Sequence, residues 1–409
     1  MKLTFMDKTA TNFMEMDALS KALSETDPRI QGRTQYSAVL IMLVALMGVY
    51  ARCDTWTLIA DYAKCHIPLI RKFLPDVKDT PSHDTIRRFF CIVDTCKLEA
   101  FYRDWACGMF RALNEASDAP RERTFRHVAI DGKTICGAVP ARDPLRDDES
   151  AGYKLHMVSA YLSEEGLSLG QERVSAKHNE LEAIPKLIDS LDIGEGDVVT
   201  IDAMGTHADI AEAIYRKNAE YLLEVKDNQK LLKEAIIRTF ESWGNRTNPR
   251  RISRAETCDD DRGYITSRKC WSCGETLALG LLRDKWPGIR SYGRIHVERT
   301  CKKTGRTCEE SHYFISSLPN DAALILKHKR LHWGVENGLH WRLDVTFDED
   351  DGRKRMNSAQ NYSVINKMAL AVLNSKPSKN SMNRRRMMLG WDDKAMEQII
   401  HDTIAYLTI

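Results

Sequence analysis

Asp197-Val198-Val199-Thr200-Ile201 runs directly into Asp202. A short run rich in β-branched residues, with Gly194 and Gly196 just upstream, reads as a buried strand delivering a carboxylate at its end. Upstream, His127-Val128-Ala129-Ile130 repeats the pattern and ends at Asp131, with Gly132 following. Open α/β sheets offer such positions to a crevice beyond the strand ends. Singly, either aspartate also suits a turn or a helix cap. On adjacent strands they set two like charges side by side, a cost that a proton or a cation removes. Hard oxygen donors there suit Mg²⁺ or Mn²⁺ better than zinc.

Around these two strands the pattern gives Leu155–Leu162 and Leu169–Ser175 as strands and Asn179–Leu191 as a helix. Ala208–Lys217 follows as a helix, Tyr221–Val225 as a strand and Asn228–Phe240 as a helix. Three strands and then alternating helices and strands predict a mixed-sheet α/β domain. The order differs from a doubly wound dinucleotide fold, and no Gly-x-Gly-x-x-Gly opens it. Gly132 and Gly137 have P-loop spacing, but Ala138 and Val139 stand where that loop needs Lys and Ser or Thr. From 241 to 310 helical periodicity fades, and Ile295–Thr300 and Tyr313–Ser317 read as strands, so a β-rich insertion is expected. Before the sheet the chain reads helical. Ala38–Tyr50 is apolar all round and Thr55–Lys64 amphipathic. After Pro81, a capping Ser82 or Asp84 precedes Arg87-Arg88-Phe89-Phe90, which fits a recognition helix or a plain amphipathic one.

The 409 residues are 43% hydrophobic and 29% charged, which excludes disordered, collagenous and coiled-coil chains. The longest apolar run is Ala38–Tyr50, short of the ~20 residues that span a bilayer, and no secretory signal is evident. A soluble cytosolic protein with no membrane partner and its 11 cysteines reduced is the expectation. Cys270, Cys273, Cys301 and Cys308 form a poor zinc set, because six residues separate the second pair. The +2 net charge hides segregation: residues 126–240 balance at 14 − 21 = −7, and 352–409 at 10 − 4 = +6. An acidic centre flanked by basic surfaces suits a polyanion partner, although solvated helix faces give the same pattern. Arg384-Arg385-Arg386 lies in that last stretch, read as a basic tail from 376 to 409.

A third acid stands in His332-Trp333-Gly334-Val335-Glu336-Asn337-Gly338-Leu339-His340-Trp341-Arg342, within a reading of Ala322–Leu343 as one helix. There His332, Glu336 and His340 share a face, close to Trp333 and Trp341, with Arg330 and Arg342 nearby. Such a face offers one carboxylate to a metal and cations or rings to nucleic acid. The His-Glu-x-x-His zinc spacing is absent.

In order, Ala129-Ile130-Asp131-Gly132-Lys133-Thr134, Lys177-His178-Asn179-Glu180, Thr200-Ile201-Asp202-Ala203-Met204 and Leu223 to Gln229 resemble a DDE transposase of the H-repeat-associated (ISAs-type) insertion-sequence family. Gly293-Arg294-Ile295, Ser316-Ser317-Leu318 and the segment from His332 to Val345 continue the resemblance across nearly the whole chain. It implies a ribonuclease-H-like catalytic domain over 123–375, with a β-rich insertion near 241–310, behind a helical DNA-binding domain over 1–122. Asp131, Asp202 and Glu336 then stand as the catalytic and metal-binding triad for two Mg²⁺ or Mn²⁺ ions about 3.5–4 Å apart. The expected partners are double-stranded DNA, as terminal repeats and target, and a second copy of the chain on paired ends. Arg87, Arg88, Lys226, Arg294, Arg330, His332, Trp333, His340, Arg384, Arg385 and Arg386 are the expected DNA contacts. Lys329, His332 and Leu343 depart from the Tyr, Arg and Lys that often accompany the third acid in the wider superfamily, and His178 stands in place of a Ser. Two other readings fit the same residues: a nuclease that only hydrolyses, and a non-catalytic DNA-binding descendant.

Overall fold

The computed structural model describes residues 8–30, 32–115, 126–138, 155–174, 180–243, 252–261, 263–352, 354 and 357–407. Lys177-His178-Asn179 lies outside them. Six helices come first: α1 (Lys8–Ser24), α2 (Ala38–Tyr50), α3 (Trp56–Cys65), α4 (Ile67–Phe73), α5 (His83–Ile92) and α6 (Thr95–Glu115). All 13 residues of α2 are buried, as an unbroken apolar helix requires, and Ser37 caps it by accepting from the Leu40 N–H at 3.2 Å.

The sheet follows, with β1 (Arg126–Ile135), β2 (Leu155–Leu162), β3 (Leu167–Arg173), α7 (Glu180–Ser190), β4 (Asp197–Ile201), α8 (Ala208–Arg216), β5 (Glu220–Val225) and α9 (Lys230–Trp243). Then come β6 (Ile252–Asp261), β7 (Tyr264–Cys273), β8 (Ser291–Cys301) and β9 (Thr307–Ser316). Their order across the sheet is β3-β2-β1-β4-β5-β9-β8-β7-β6. Strands β1, β2 and β3 pair antiparallel, while β4 and β5 run parallel to β1. This is the expected ribonuclease-H-like sheet. The β-rich segment is a meander that joins it, because β9 pairs antiparallel with β5 and closes one nine-stranded surface. Within the meander Cys301 stands opposite Tyr264, six residues (270 − 264) along β7 from Cys270, or roughly 20 Å. The four cysteines therefore do not converge.

The chain ends in α10 (Ala322–His332), α11 (Trp341–Phe347), α12 (Asn357–Ser375), α13 (Met382–Trp391) and α14 (Asp393–Ile404). Residues 382–404, within the stretch read as a basic tail, are thus two packed helices. The Thr403 hydroxyl meets the Tyr50 hydroxyl at 2.7 Å, and its carbonyl accepts from the Trp105 indole at 2.7 Å, so the last helix completes the first core. Helix α12 is buried from Ser358 to Leu373 and binds the sheet through Lys367, which donates to Ser159 at 2.9 Å and to Gln171 at 2.6 Å.

Arg386 corrects the expectation of a surface contact. Successive helical residues point about 100° apart, so three consecutive arginines cannot share a surface. Arg384 is exposed, Arg385 half-buried and Arg386 wholly buried. The Arg386 guanidinium donates to the Val49 carbonyl at 2.8 Å, to the Thr346 carbonyl and to the Asp54 carboxylate at 2.7 Å. Arg386→Ala is expected to destabilise the protein by about 3–5 kcal/mol, because it leaves Asp54 and two carbonyls without their partner. Thermal unfolding measures this; an unchanged midpoint with weakened DNA binding would return Arg386 to the surface.

Candidate active site

The register of three parallel strands builds the site. Ile130 pairs with Ile201, and Ile201 with Leu223. Asp131, Asp202 and Glu224 are therefore the next residues on three neighbouring strands, on the sheet face that α10 covers. Asp131 lies in mid-strand rather than at a strand end: β1 continues to Ile135 against β2, past the point where β4 stops. Asp202 begins a turn over Ala203–Gly205 and accepts from the Gly205 N–H at 3.2 Å.

That turn explains the Lys226–Gln229 motif. Asn228 donates to the Ala203 carbonyl at 2.7 Å and Gln229 to the Thr206 carbonyl at 3.0 Å. Thr206 in turn donates to the Glu224 carbonyl at 2.6 Å. The loop after β5 thereby fixes the backbone that carries Asp202. Burial, and then the negative charges of Asp131 and Glu180, push the Asp202 carboxyl above its ordinary range. Glu224 goes the other way. Burial alone would raise it, but the His312 hydrogen bond at 2.8 Å and Lys329 at 2.6 Å hold it well below the usual carboxylate range.

The third acid lies on a helix that changes pitch. Helix α10 ends at His332 with the Leu331 carbonyl accepting from Ser163 at 2.8 Å, and Glu336–His340 form a π-helical turn before α11. A Cβ on Gly334 would stand 2.7 Å from the Ser163 hydroxyl, and one on Gly338 2.5 Å from that of Tyr161, so only glycine permits this close approach to β2. The expected common face is thereby split. His332 is buried with its Nδ1 2.9 Å from the Thr200 hydroxyl, Glu336 is exposed, and the His340 Nε2 lies 3.2 Å from an Asp131 oxygen. Among the described residues no group of three His, Cys, Asp or Glu side chains is disposed to hold an ion as it stands.

His332 is the second correction, since a buried ring hydrogen-bonded to the sheet cannot contact DNA. His340 faces Asp131. The other expected contacts are dispersed: Arg87 at 2.7 Å and Arg88 both pair with Asp84, and Arg330 pairs with Asp259 at 2.9 Å. Trp333 lies under Arg268, Arg294 covers Trp271, and Lys226 is 59% exposed and 3.5 Å from Glu224. Sequence reading missed Glu224 and the pair His156–Glu180, whose closest atoms lie 2.6 Å apart over Gly132. Glu180 and Glu224 stand inside motifs of the resemblance, and Gly132 marks the pair as well, because a Cβ there would stand 2.7 Å from both the His156 and Glu180 side chains.

The family described as Transposase DDE domain matches residues 122–372, more than half of the chain, and one described as DDE_Tnp_1-associated matches residues 22–106. The chain belongs to the DDE transposase family. This transposase is 31% identical to "Putative transposase YncI" of Escherichia coli O157:H7, over 91% of its own length and 92% of that protein. It is 28% identical to "H repeat-associated putative transposase YhhI" of Escherichia coli (strain K12), over 95% and 98%. Among solved structures, a piggyBac transposase synaptic complex with hairpin DNA aligns over 98% of this chain and 82% of that one, at a TM-score of 0.40 and 10% identity.

Beneath the acids the histidines are neutral. Burial lowers His328 and His332 to about 4 and holds His127 well below its ordinary value. The unfolded chain binds more protons between pH 6.5 and 4, so stability is lost as pH falls through that window. By pH 5 the loss is expected to be on the order of 2 kcal/mol for each of His328 and His332. Urea unfolding at pH 7 and pH 5 measures it, and His328→Gln with His332→Gln should flatten the dependence. An unchanged wild-type midpoint at pH 5 contradicts neutral burial.

Proposed function

We propose that this transposase cleaves the ends of its element and joins them to target DNA, with Asp131, Asp202 and Glu336 holding two divalent cations. The observation that carries this reading is that Asp131 and Asp202 directly follow Ile130 and Ile201, the last matched rung of parallel β1 and β4. The donors fit hard cations: they are carboxylate oxygens, and burial beside Asp131 disfavours ionised Asp202 until positive charge arrives. Two Mg²⁺ or Mn²⁺ ions, when bound, activate the attacking oxygen and stabilise the leaving one in phosphoryl transfer.

The chain's own residues do the rest. Asp131, Asp202 and Glu336 would hold the ions, with Asp131 and Asp202 supplied by neighbouring strands. Glu336 reaches the pair by turning in from the solvent-exposed π-helical turn, while His340 steadies the Asp131 carboxylate. Water is the nucleophile in the cleavage step and the freed 3′-OH in the joining step, so no protein nucleophile is needed. Outward cations hold the duplex: Lys226 beside the acids, Arg384 on α13, and Arg88 on α5 as part of end recognition. The helices before residue 122 form the end-binding domain, and a dimer brings two ends together.

Asp131→Asn, Asp202→Asn and Glu336→Gln are each expected to reduce Mg²⁺-dependent nicking of end DNA by more than about 100-fold, the scale of removing one group that stabilises the transition state. End binding in a gel shift should persist. Full cleavage by Glu336→Gln would pass the third role to Glu180, an acid whose charge acts on Asp202. Mn²⁺ should replace Mg²⁺, whereas activity that survives removal of divalent ions defeats the mechanism.

The two DNA surfaces separate in a salt titration. Replacing Lys226 and Arg384 by Ala should weaken binding to every duplex and lower the log–log salt slope by about 0.9 for each phosphate no longer neutralised. Replacing Arg87 and Arg88 should instead narrow the gap between end DNA and random DNA. A uniform loss in the Arg87/Arg88 variant contradicts the assignment.

A further inference from the structure

On the side of β4, strand β1 has no strand partner beyond Ile130 among the described residues, although its pairing with β2 continues to Ile135. Lys133 lies in that extension, two residues past Asp131, so the two side chains share a face of the sheet. Its ammonium is 11% exposed and is divided between two carboxylates. It pairs with Asp344 on α11 and donates to Glu349 at 2.8 Å.

The two acids are held differently. Asp348, in the left-handed region at φ 54°, ends α11, and the Glu349 N–H donates back to the Leu343 carbonyl at 3.1 Å. Asp350 accepts from the Cys136 N–H at 3.0 Å, and a Cβ on Gly137 would collide with the Asp350 and Gly352 carbonyls. Buried Glu349 therefore belongs to a seam that seals the end of β1. Asp344 is 31% exposed and sits on α11 itself, eight residues (344 − 336) after Glu336.

The segment that carries Glu336 is thus fastened at both ends. Before it, the Leu331 carbonyl accepts from Ser163 beside β2; after it, Asp344 meets Lys133 on β1. Between these anchors the π-helical turn leaves Glu336 facing solvent. The second anchor grips the strand and the face that present Asp131. Any slip of α11 along β1 therefore changes the gap between Asp131 and Glu336, and a displacement of about 1 Å at reacting groups costs on the order of 100-fold in rate.

We propose that Lys133 and Asp344 are positioning residues for cleavage: their ion pair ties α11 to β1 and sets the distance from Glu336 to Asp131. The inference rests on the reading of Asp131 and Glu336 as cation ligands. The test is nicking of end DNA by the full chain at saturating Mg²⁺, with kcat and KM separated and thermal unfolding followed for each variant. Asp344→Asn leaves Lys133 its bond to Glu349, so the unfolding midpoint and the KM for end DNA should stay at wild-type values. Its kcat should fall roughly 10- to 100-fold. Lys133→Met should lose kcat to a similar extent, and Lys133→Arg, which keeps a charge between the acids, should retain most of the rate. Combining Lys133→Met with Asp344→Asn should cost no more than the worse single change, because both break one contact. An Asp344 that held a cation itself would multiply the two losses. Multiplied losses, a wild-type kcat in Asp344→Asn, or a raised KM at unchanged kcat overturns the proposal. Should Lys133→Met not fold, the kcat and KM of Asp344→Asn decide alone. Normal nicking by Glu336→Gln defeats the ligand reading whatever Asp344→Asn does, so the two failures are distinguishable.

Discussion

The parallel pairing of β1 with β4 is the constraint on which the rest depends. Because Ile130 and Ile201 share a rung, Asp131 and Asp202 must stand side by side at the point where β4 stops and β1 continues. Two partly buried carboxylates in that position repel, and the surroundings distribute the cost. His340 leans on Asp131, and Lys226 lowers the Asp202 carboxyl against the rise from burial. Below them, the Thr200 hydroxyl lies between His127 at 2.8 Å and His332 at 2.9 Å, so the layer under the acids is polar but uncharged. Among the described residues the site is thus short of positive charge where the two aspartates meet.

Charge counted along the chain misrepresents the surface. Of the ten cations that give residues 352–409 their excess, Lys354, Lys367 and Arg386 are buried and spend their charge on internal partners. Arg386 joins α2, α11 and α13, and Lys367 joins α12 to the sheet. Among the described residues, Lys376, Lys379, Arg384, Arg385 and Lys394 are the ones that keep some exposure, a smaller set than a +6 tail implies.

Local signals suffice where one element decides its own fate. The β-branched run of β4 and the continuous apolar helix α2 come out at the boundaries that their composition indicates. Sequence and structure part where a distant partner decides. Gly132 reads as a stop after Asp131, but pairing with β2 carries β1 three residues beyond it. The π-helical turn depends on Tyr161 and Ser163, which lie on or beside β2 and leave no mark on the periodicity of 322–343. The β segment reads as a separate insertion because nothing near Thr307–Ser316 announces its pairing with β5. Asp131 and Asp202 are legible as acids that follow short apolar strands and Glu336 joins them through ordered resemblance, whereas Glu224 and Glu180 become neighbours of the site through register and packing.

Thr403, near the end of the chain, supplies both the hydroxyl that meets Tyr50 and the carbonyl that meets Trp105. The groups that close the helical core therefore lie 353 residues along the chain from Tyr50 and 298 from Trp105. A ribosome that stops early, or a frameshift anywhere in the catalytic sheet, releases a chain whose opening helices still expose the seat of α14. Without α14 the Tyr50 hydroxyl and the Trp105 indole lose these partners inside an apolar core, where an unpaired polar group costs about 1–3 kcal/mol.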